Sequence, residues 1–273
     1  MPPQCELRDG RPAPLVGRQA RLELTFGCRR GLTVLTHAYA EPPFRVGRCF
    51  PDGDGLHMIM AAASPGIFGG DCLEQIIRVG HGARVRLTSQ SALQVHATPD
   101  SEVARIRNAY HVEDAARLHC HWDPLIPFAD ARFDHRLEIQ IAATGYCYWS
   151  DALMTGRRAS DEHWRFASLR HQLKVFRAGS LEYLERYRIA PADARVSQPW
   201  TASDAAYFGT AFASGIDVGE DAAERLHADL AAIQDVSAAV DRLDRRLLLV
   251  RLMGRSGLPF HDARARVQRR LGA

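Results

Sequence analysis

No C-x-x-C pair occurs among the six cysteines of this chain, Cys5, Cys28, Cys49, Cys72, Cys120 and Cys147. That spacing excludes a zinc ribbon and a thioredoxin motif, and 273 residues are too many for a disulfide-stapled mini-domain. No apolar run approaches the roughly 20 residues needed to span a bilayer. Residues 1–14 are polar and proline-rich without an apolar core, so no secretory signal is expected. Net charge is scarce as well. The formal balance is +3, with one basic cluster at Arg264, Arg266, Arg269 and Arg270, which makes no case for a nucleic-acid partner. There is no G-x-S-x-G elbow and no serine or cysteine with a recognisable base nearby in sequence. These absences predict a reduced, soluble, cytoplasmic protein with no membrane or nucleic-acid partner.

What the chain does have is an ordinary globular composition, 46% hydrophobic and 25% charged, and one unusual stretch. Ser64-Pro65-Gly66-Ile67-Phe68-Gly69-Gly70-Asp71 sets three glycines and a proline around a bulky apolar pair and ends on a carboxylate. Glycine at this density marks backbone at positive φ or backbone closely approached by something else. A phosphate loop would need Lys-Ser or Lys-Thr after the last glycine. Asp71-Cys72 stands there instead, and a carboxylate repels phosphate. A structural turn between strands is the plainer reading.

Alternation of apolar and polar residues runs through most of the chain. Leu22, Leu24 and Phe26 share one face, and period two marks a half-buried strand. Further strands are expected at 32–40, 74–79, 83–88, 103–111, 116–122, 133–142, 145–151, 168–177 and 181–190, with a strand-like lead-in over 48–63. Asp52-Gly53-Asp54-Gly55 reads as a tight hairpin turn. Strands every 10 to 15 residues or so, without helical patterns between them, predict an all-β sandwich, barrel or coil of strands. No fixed-period repeat is visible. After Pro199 the pattern changes. A strand at 205–213, a helix at 220–235, an apolar strand at 246–253 and a helix at 259–271 make a small α+β unit. The expected organisation is a flexible segment 1–18, a β body 19–198 and a C-terminal α+β unit 199–273 packed on it.

Three acids sit where strand geometry expects apolar side chains. Glu185 shares a face with Leu181, Tyr183, Tyr187 and Ile189; Asp151 shares one with Cys147 and Trp149; Asp71 ends the glycine turn. A buried carboxylate must be paired, hydrogen-bonded or bound to a cation. The readings are a salt bridge, for example to Arg157, Arg158 or Arg186, a carboxylate pair for hydrolysis, or a polar path for a cation. His119 and His121 place two imidazoles on one strand face, with Leu118 and Cys120 on the buried side. Such a pair is either the solvent face of a strand or a weak site for nickel, copper or zinc.

An ordered set of residues resembles the urease accessory protein UreD family, also called UreH. It comprises Leu22-Glu23-Leu24 with Thr33-Val34-Leu35, the stretch Pro65 to Asp71, and Leu87-Thr88. Trp149-Ser150-Asp151 with Gly156-Arg157, Leu184-Glu185-Arg186, and Leu248-Leu249-Val250-Arg251 before the terminal helix complete it. The chain departs from the family pattern at Ser64, at Ile67-Phe68, over 92–96 and over 127–130. The resemblance implies a mostly β, helically coiled, layered body and a non-enzymatic scaffold for nickel insertion. It implies binding to UreF and, through it, to the GTPase UreG, docking on apo-urease, and transient nickel(II) in place of a tightly bound cofactor. On the family's pattern Asp71, Asp151 and Glu185 match acidic positions along an internal channel, with Pro65, Gly66, Gly69 and Gly70 as the structural turn. An all-β hydrolase and a plain interaction module are the competing readings. Spaced carboxylates suit transit better than clustered imidazoles or thiolates, which would hold nickel tightly and release it slowly.

Overall fold

The computed structural model describes residues 17–97, 100–193, 204–219 and 221–272. A hairpin, β1 (Gln19–Arg29) and β2 (Leu32–Ala40), starts the fold. Short strands β3 (Phe44–Arg45) and β4 (Cys49–Asp52) lead into β5 (Gly55–Ala62), with Gly53 at positive φ in the Asp52–Gly55 turn. The chain then winds through β6 (Cys72–Val79), β7 (Arg84–Ser89), β8 (Leu93–Val95), β9 (Ala104–Val112), β10 (Arg117–His121) and β11 (Leu125–Pro127). It continues through β12 (Arg132–Ile141), β13 (Tyr146–Met154), β14 (Ser168–Arg177) and β15 (Ser180–Ile189). The C-terminal part comprises β16 (Tyr207–Ser214), α1 (Ala222–Ala231), β17 (Val236–Asp244), β18 (Leu247–Gly254) and α2 (Gly257–Leu271).

The body is a stack of coils. Sheet one orders β15-β14-β12-β9-β6-β1-β2, and all neighbours from β14 to β1 are parallel. Sheet two runs β17-β18-β16-β13-β10-β7-β5-β3, parallel from β13 to β5. Successive strands alternate between the sheets, so each coil contributes one rung to each. The sheet-one rungs begin at 72, 104, 132 and 168, so coil lengths differ, and no fixed period shows in the sequence. The mainly β, coiled and layered architecture is the one expected.

Parallel strands commonly have both faces covered. Here that holds for sheet two, whereas sheet one packs one face on the core and turns Glu74, Arg78, Arg105, Arg136 and Arg170 outward. Cys147, Trp149, Phe212, Leu247 and Leu249 point from sheet two towards sheet one, joining a core with Leu22, Leu24, Ile77 and Ile139. The alternate residues Tyr146, Tyr148, Leu248, Val250 and Leu252 pack on the other side with Leu226, Leu230, Phe260, Ala263 and Val267 of the helices. Strands β16, β18 and β17 extend the body's own sheet two. Residues 1–16, the segment 194–203 and residue 220 lie outside the described residues, and with them the 198/199 boundary. Strand β17 was not expected. Its alternation is between half-buried Val236, Ala238 and Val240 and exposed residues, and its far end is the charged run Asp241-Arg242-Leu243-Asp244.

The glycine stretch forms the first corner of the coil. Ile67 bridges Val95 of β8, and β8 pairs β11 in parallel. Phe68 stacks on His96 at 4.5 Å, His96 meets Phe128 edge-on at 4.5 Å, and the Arg157 guanidinium lies 3.8 Å over the Phe128 ring. One residue from each successive corner therefore builds a ladder. Gly66 has φ +156°, and a Cβ there would meet the Gln94 carbonyl oxygen at 2.5 Å. Gly66→Ala is therefore expected to lower stability by roughly 1–3 kcal/mol, read as a shift in the urea midpoint.

Candidate functional site

A cavity of about 750 Å³ lies between the two sheets. Strand register explains its lining. Leu73, Ile106, His135, His171 and Tyr187 are aligned neighbours across sheet one, and Asp151, Thr210 and Arg251 across sheet two. All of them line the cavity, and most of the remaining wall is apolar, including Phe44, Met60, Trp164 and Phe208. Exposed residues line it in two places: Ala62, Pro65 and Ser91 beside the glycine turn, and Met253 near the end of β18.

Asp151 and Glu185 come together in this cavity from facing sheets. Among the described residues, Asp151 accepts one hydrogen bond, from Trp149 Nε1 at 3.1 Å. Burial raises its carboxyl above the ordinary carboxylate range; His171 and the Trp149 bond oppose that rise, and the Glu185 charge adds to it. Glu185 is 7% exposed. It accepts from Arg251 Nη1 at 2.6 Å and from the Tyr183 hydroxyl at 3.0 Å. Arg251 also donates to Tyr183 at 2.6 Å and to Thr210 at 3.1 Å. The salt-bridge partner of Glu185 is thus Arg251, not Arg157, Arg158 or Arg186. Arg157 is bonded to Glu162 at 2.8 Å, and Arg158 donates to the Arg255 carbonyl.

Asp71 is placed differently. It is buried and accepts the backbone N–H groups of Arg18 at 2.8 Å and Phe68 at 2.9 Å, tying the glycine turn to the start of β1. It is not among the residues lining the cavity, whereas Pro65 and Gly66 of the same turn are. Gly69 is buried, and a Cβ on Gly70 (φ +84°) would press on Glu102 and on the Gly17 backbone.

The imidazoles also fall out differently from a simple face count. His119 and His121 do not form a solvent face, because the layer of helices covers sheet two. His119 Nδ1 donates to the Gly272 carbonyl at 2.9 Å while Gln268 Nε2 donates to its Nε2 at 3.0 Å, so both ring nitrogens are engaged. The His121 ring lies parallel to Tyr148, and its buried Nδ1 has no partner among the described residues. Burial lowers His119 to about 4 and His121 to about 3.

His135 and His171, which line the cavity, were missed. They are register neighbours with ring centroids 5.1 Å apart, and His171 stacks on Tyr187 at 5.0 Å. Burial holds His135 well below its ordinary value. Asn108 Nδ2 approaches His135 Nε2 at 3.4 Å. The signal was present: each histidine shares a strand face with apolar residues, Phe133 and Leu137 in one case, Leu169 and Leu173 in the other. Among the described residues, no three His, Cys, Asp or Glu side chains converge to hold a metal ion, and the five cysteines are free thiols. Asp151, Glu185, His171, Tyr187, Thr210 and Arg251 instead form one polar group in the otherwise largely apolar wall.

A family profile described as "UreD urease accessory protein" matches residues 18–272. The chain belongs to the UreD urease accessory protein family. A relative from Acetivibrio thermocellus, named "Urease accessory protein UreD", is 25% identical over 88% of this chain and 92% of its own length. A UreD from Deinococcus radiodurans is 33% identical over 64% of this chain and 63% of its own length. One from Sorangium cellulosum is 30% identical over 70% and 61%. No helix among the described residues of this UreD-family chain is long and apolar enough to cross a membrane.

Two outcomes test the electrostatics. Because His121 is neutral in the fold down to about pH 3, the unfolded chain takes up its proton first as pH falls below about 6.5. Stability should therefore drop between pH 6.5 and 5 by on the order of 1–2 kcal/mol from this residue. His121→Phe, which keeps a ring on Tyr148, should flatten that slope in urea melts. For Asp151 the raised carboxyl means that the folded state carries a cost once the group ionises. Asp151→Asn should raise the melting temperature at neutral pH, with the gain vanishing below about pH 4, where both states are protonated.

Proposed function

We propose that this chain is a non-catalytic scaffold of urease maturation, through whose interior cavity nickel(II) passes towards apo-urease. Its partners in this reading are a UreF-like protein, a UreG-like GTPase reached through it, and apo-urease itself. Membership of the UreD family supports the urease context. The observation that carries the transit part is that Asp151 and Glu185, from facing sheets, line one cavity with exposed residues at two places.

Nickel is cargo here, so weak binding is the requirement. Carboxylate oxygens of Asp151 and Glu185, the hydroxyls of Thr210 and Tyr187, and the imidazole of His171 offer a mixed, mostly oxygen set of donors in a largely apolar wall. In that low-dielectric wall a single carboxylate exerts a stronger pull on a cation than it would in water. Such donors still release the ion, where a set of imidazoles or thiolates would retain it. Asp71 contributes by holding the turn that frames one end. Free thiols at all described cysteines suit the reducing cytoplasm.

The interaction-module reading has one observation in its favour, the Glu185–Arg251 ion pair, which gives Glu185 a structural partner. Isosteric changes separate the two. Asp151→Asn with Glu185→Gln, co-expressed with urease and its other accessory proteins, should cut urease activation at least tenfold while pull-down of the UreF-like partner persists. Full activation by the double variant would sink the transit reading.

A further inference from the structure

The salt bridge that favours a structural Glu185 has an odd shape for one. Glu185 is nearly inaccessible, with its side chain 6% exposed, whereas the side chain of Arg251 is 41% exposed. The carboxylate is fixed to β15 and faces inward; the guanidinium reaches it from β18 on a half-buried side chain. Along the inward face of β18, whole-residue exposure rises from buried Leu249 through half-buried Arg251 to exposed Met253. Arg251 therefore stands where the cavity meets the surface at the Met253 end, between an edge strand of sheet one and the last strands of sheet two.

Its contacts are those of a side chain held in place. Arg251 bonds Glu185 and Tyr183 of β15 and Thr210 of β16, three groups from two strands in facing sheets. While it does so, one Glu185 oxygen is occupied by the guanidinium, and the other accepts from Tyr183. A fixed positive charge at this spot also repels any cation in the cavity. A path built only to conduct cations would leave this carboxylate free.

We propose that Arg251 is a displaceable latch: it occupies Glu185 in the resting protein, and a divalent cation reaches Glu185 only when the guanidinium swings outward. A long arginine side chain with this much accessible surface can swing by rotamer change, without backbone movement. The buried carboxylate then exchanges a monovalent organic cation for a divalent metal and is never left unpaired, which would be costly. Arg251 is on this view a positioning residue for release at one end of the cavity. The inference rests on the transit reading above, and its test is an equilibrium one, independent of urease activity.

Nickel(II) chloride is titrated calorimetrically into the purified full chain, into Arg251→Met, Tyr183→Phe and Asp151→Asn, and into the double variant Arg251→Met/Glu185→Gln. Arg251→Met should bind nickel at least tenfold more tightly than the parent, and the gain should disappear in the double variant. Tyr183→Phe removes one anchor of the guanidinium and keeps its charge, so it should give a smaller gain of the same sign. Unchanged or weaker binding by Arg251→Met, with parent binding still lost in Asp151→Asn, overturns the latch and leaves the transit reading standing. A gain that survives Glu185→Gln overturns it too. If Arg251→Met fails to fold by circular dichroism, Tyr183→Phe decides: no gain there overturns the latch. Absence of nickel binding by every variant and by the parent overturns both readings.

Discussion

In-register parallel pairing is the constraint from which the rest of this structure follows. When a strand lies in the middle of a parallel sheet, its hydrogen bonds go to two neighbours. Its faces go to two packed layers in sheet two, and to the core and to solvent in sheet one. Register then copies a position from coil to coil. Leu73, Ile106, His135 and His171 occupy the same rung position on four successive strands, and so do Ile77, Tyr110, Ile139 and Val175. The second row is fully buried and, the Tyr110 hydroxyl apart, apolar. The first changes from aliphatic to imidazole along the stack, and that is the row on which the cavity opens. A single row thus carries the chain from packing to chemistry.

Polar side chains in such a row are expensive, and the structure shows several ways of compensating them. Asp71 has two backbone donors, Glu185 has a guanidinium and a phenol, and His119 has a donor and an acceptor from helix α2 and the residue after it. Asp151 has one indole and a raised affinity for its proton. Compensation sets Asp151, with one donor, apart from Asp71 and Glu185, which are both buried and have two each. The kind of donor, backbone N–H or side chain, then separates the turn clamp from the cavity group.

How much of this was legible in the sequence follows from what period two can reveal. Strand faces are local, so the alternation in Leu22-Glu23-Leu24 or in Leu181 to Ile189 exposed both the strands and the misplaced acids. The same count would have found His135 and His171 had it been applied to every strand. Strands β8 and β11 are three residues each, too short to alternate. Pairing between strands is not local at all. Arg251 lies 66 residues from Glu185, and nothing in either segment announces the other. The solvent-face reading of His119 and His121, one of the two the sequence allows, fails because a strand face says nothing about the helices that cover it.

Strand β18 has a consequence of its own. Val250 and Leu252 are buried against the helical layer, while Arg251 between them reaches through to Glu185 on the other side. Adjacent residues of one strand cannot move separately. A protein that presses on α1 or α2 from outside therefore leans on the same few ångströms of backbone that hold the guanidinium in place. The helical layer and the interior of the β body are the two sides of one sheet, and at Arg251 they are one peptide unit apart.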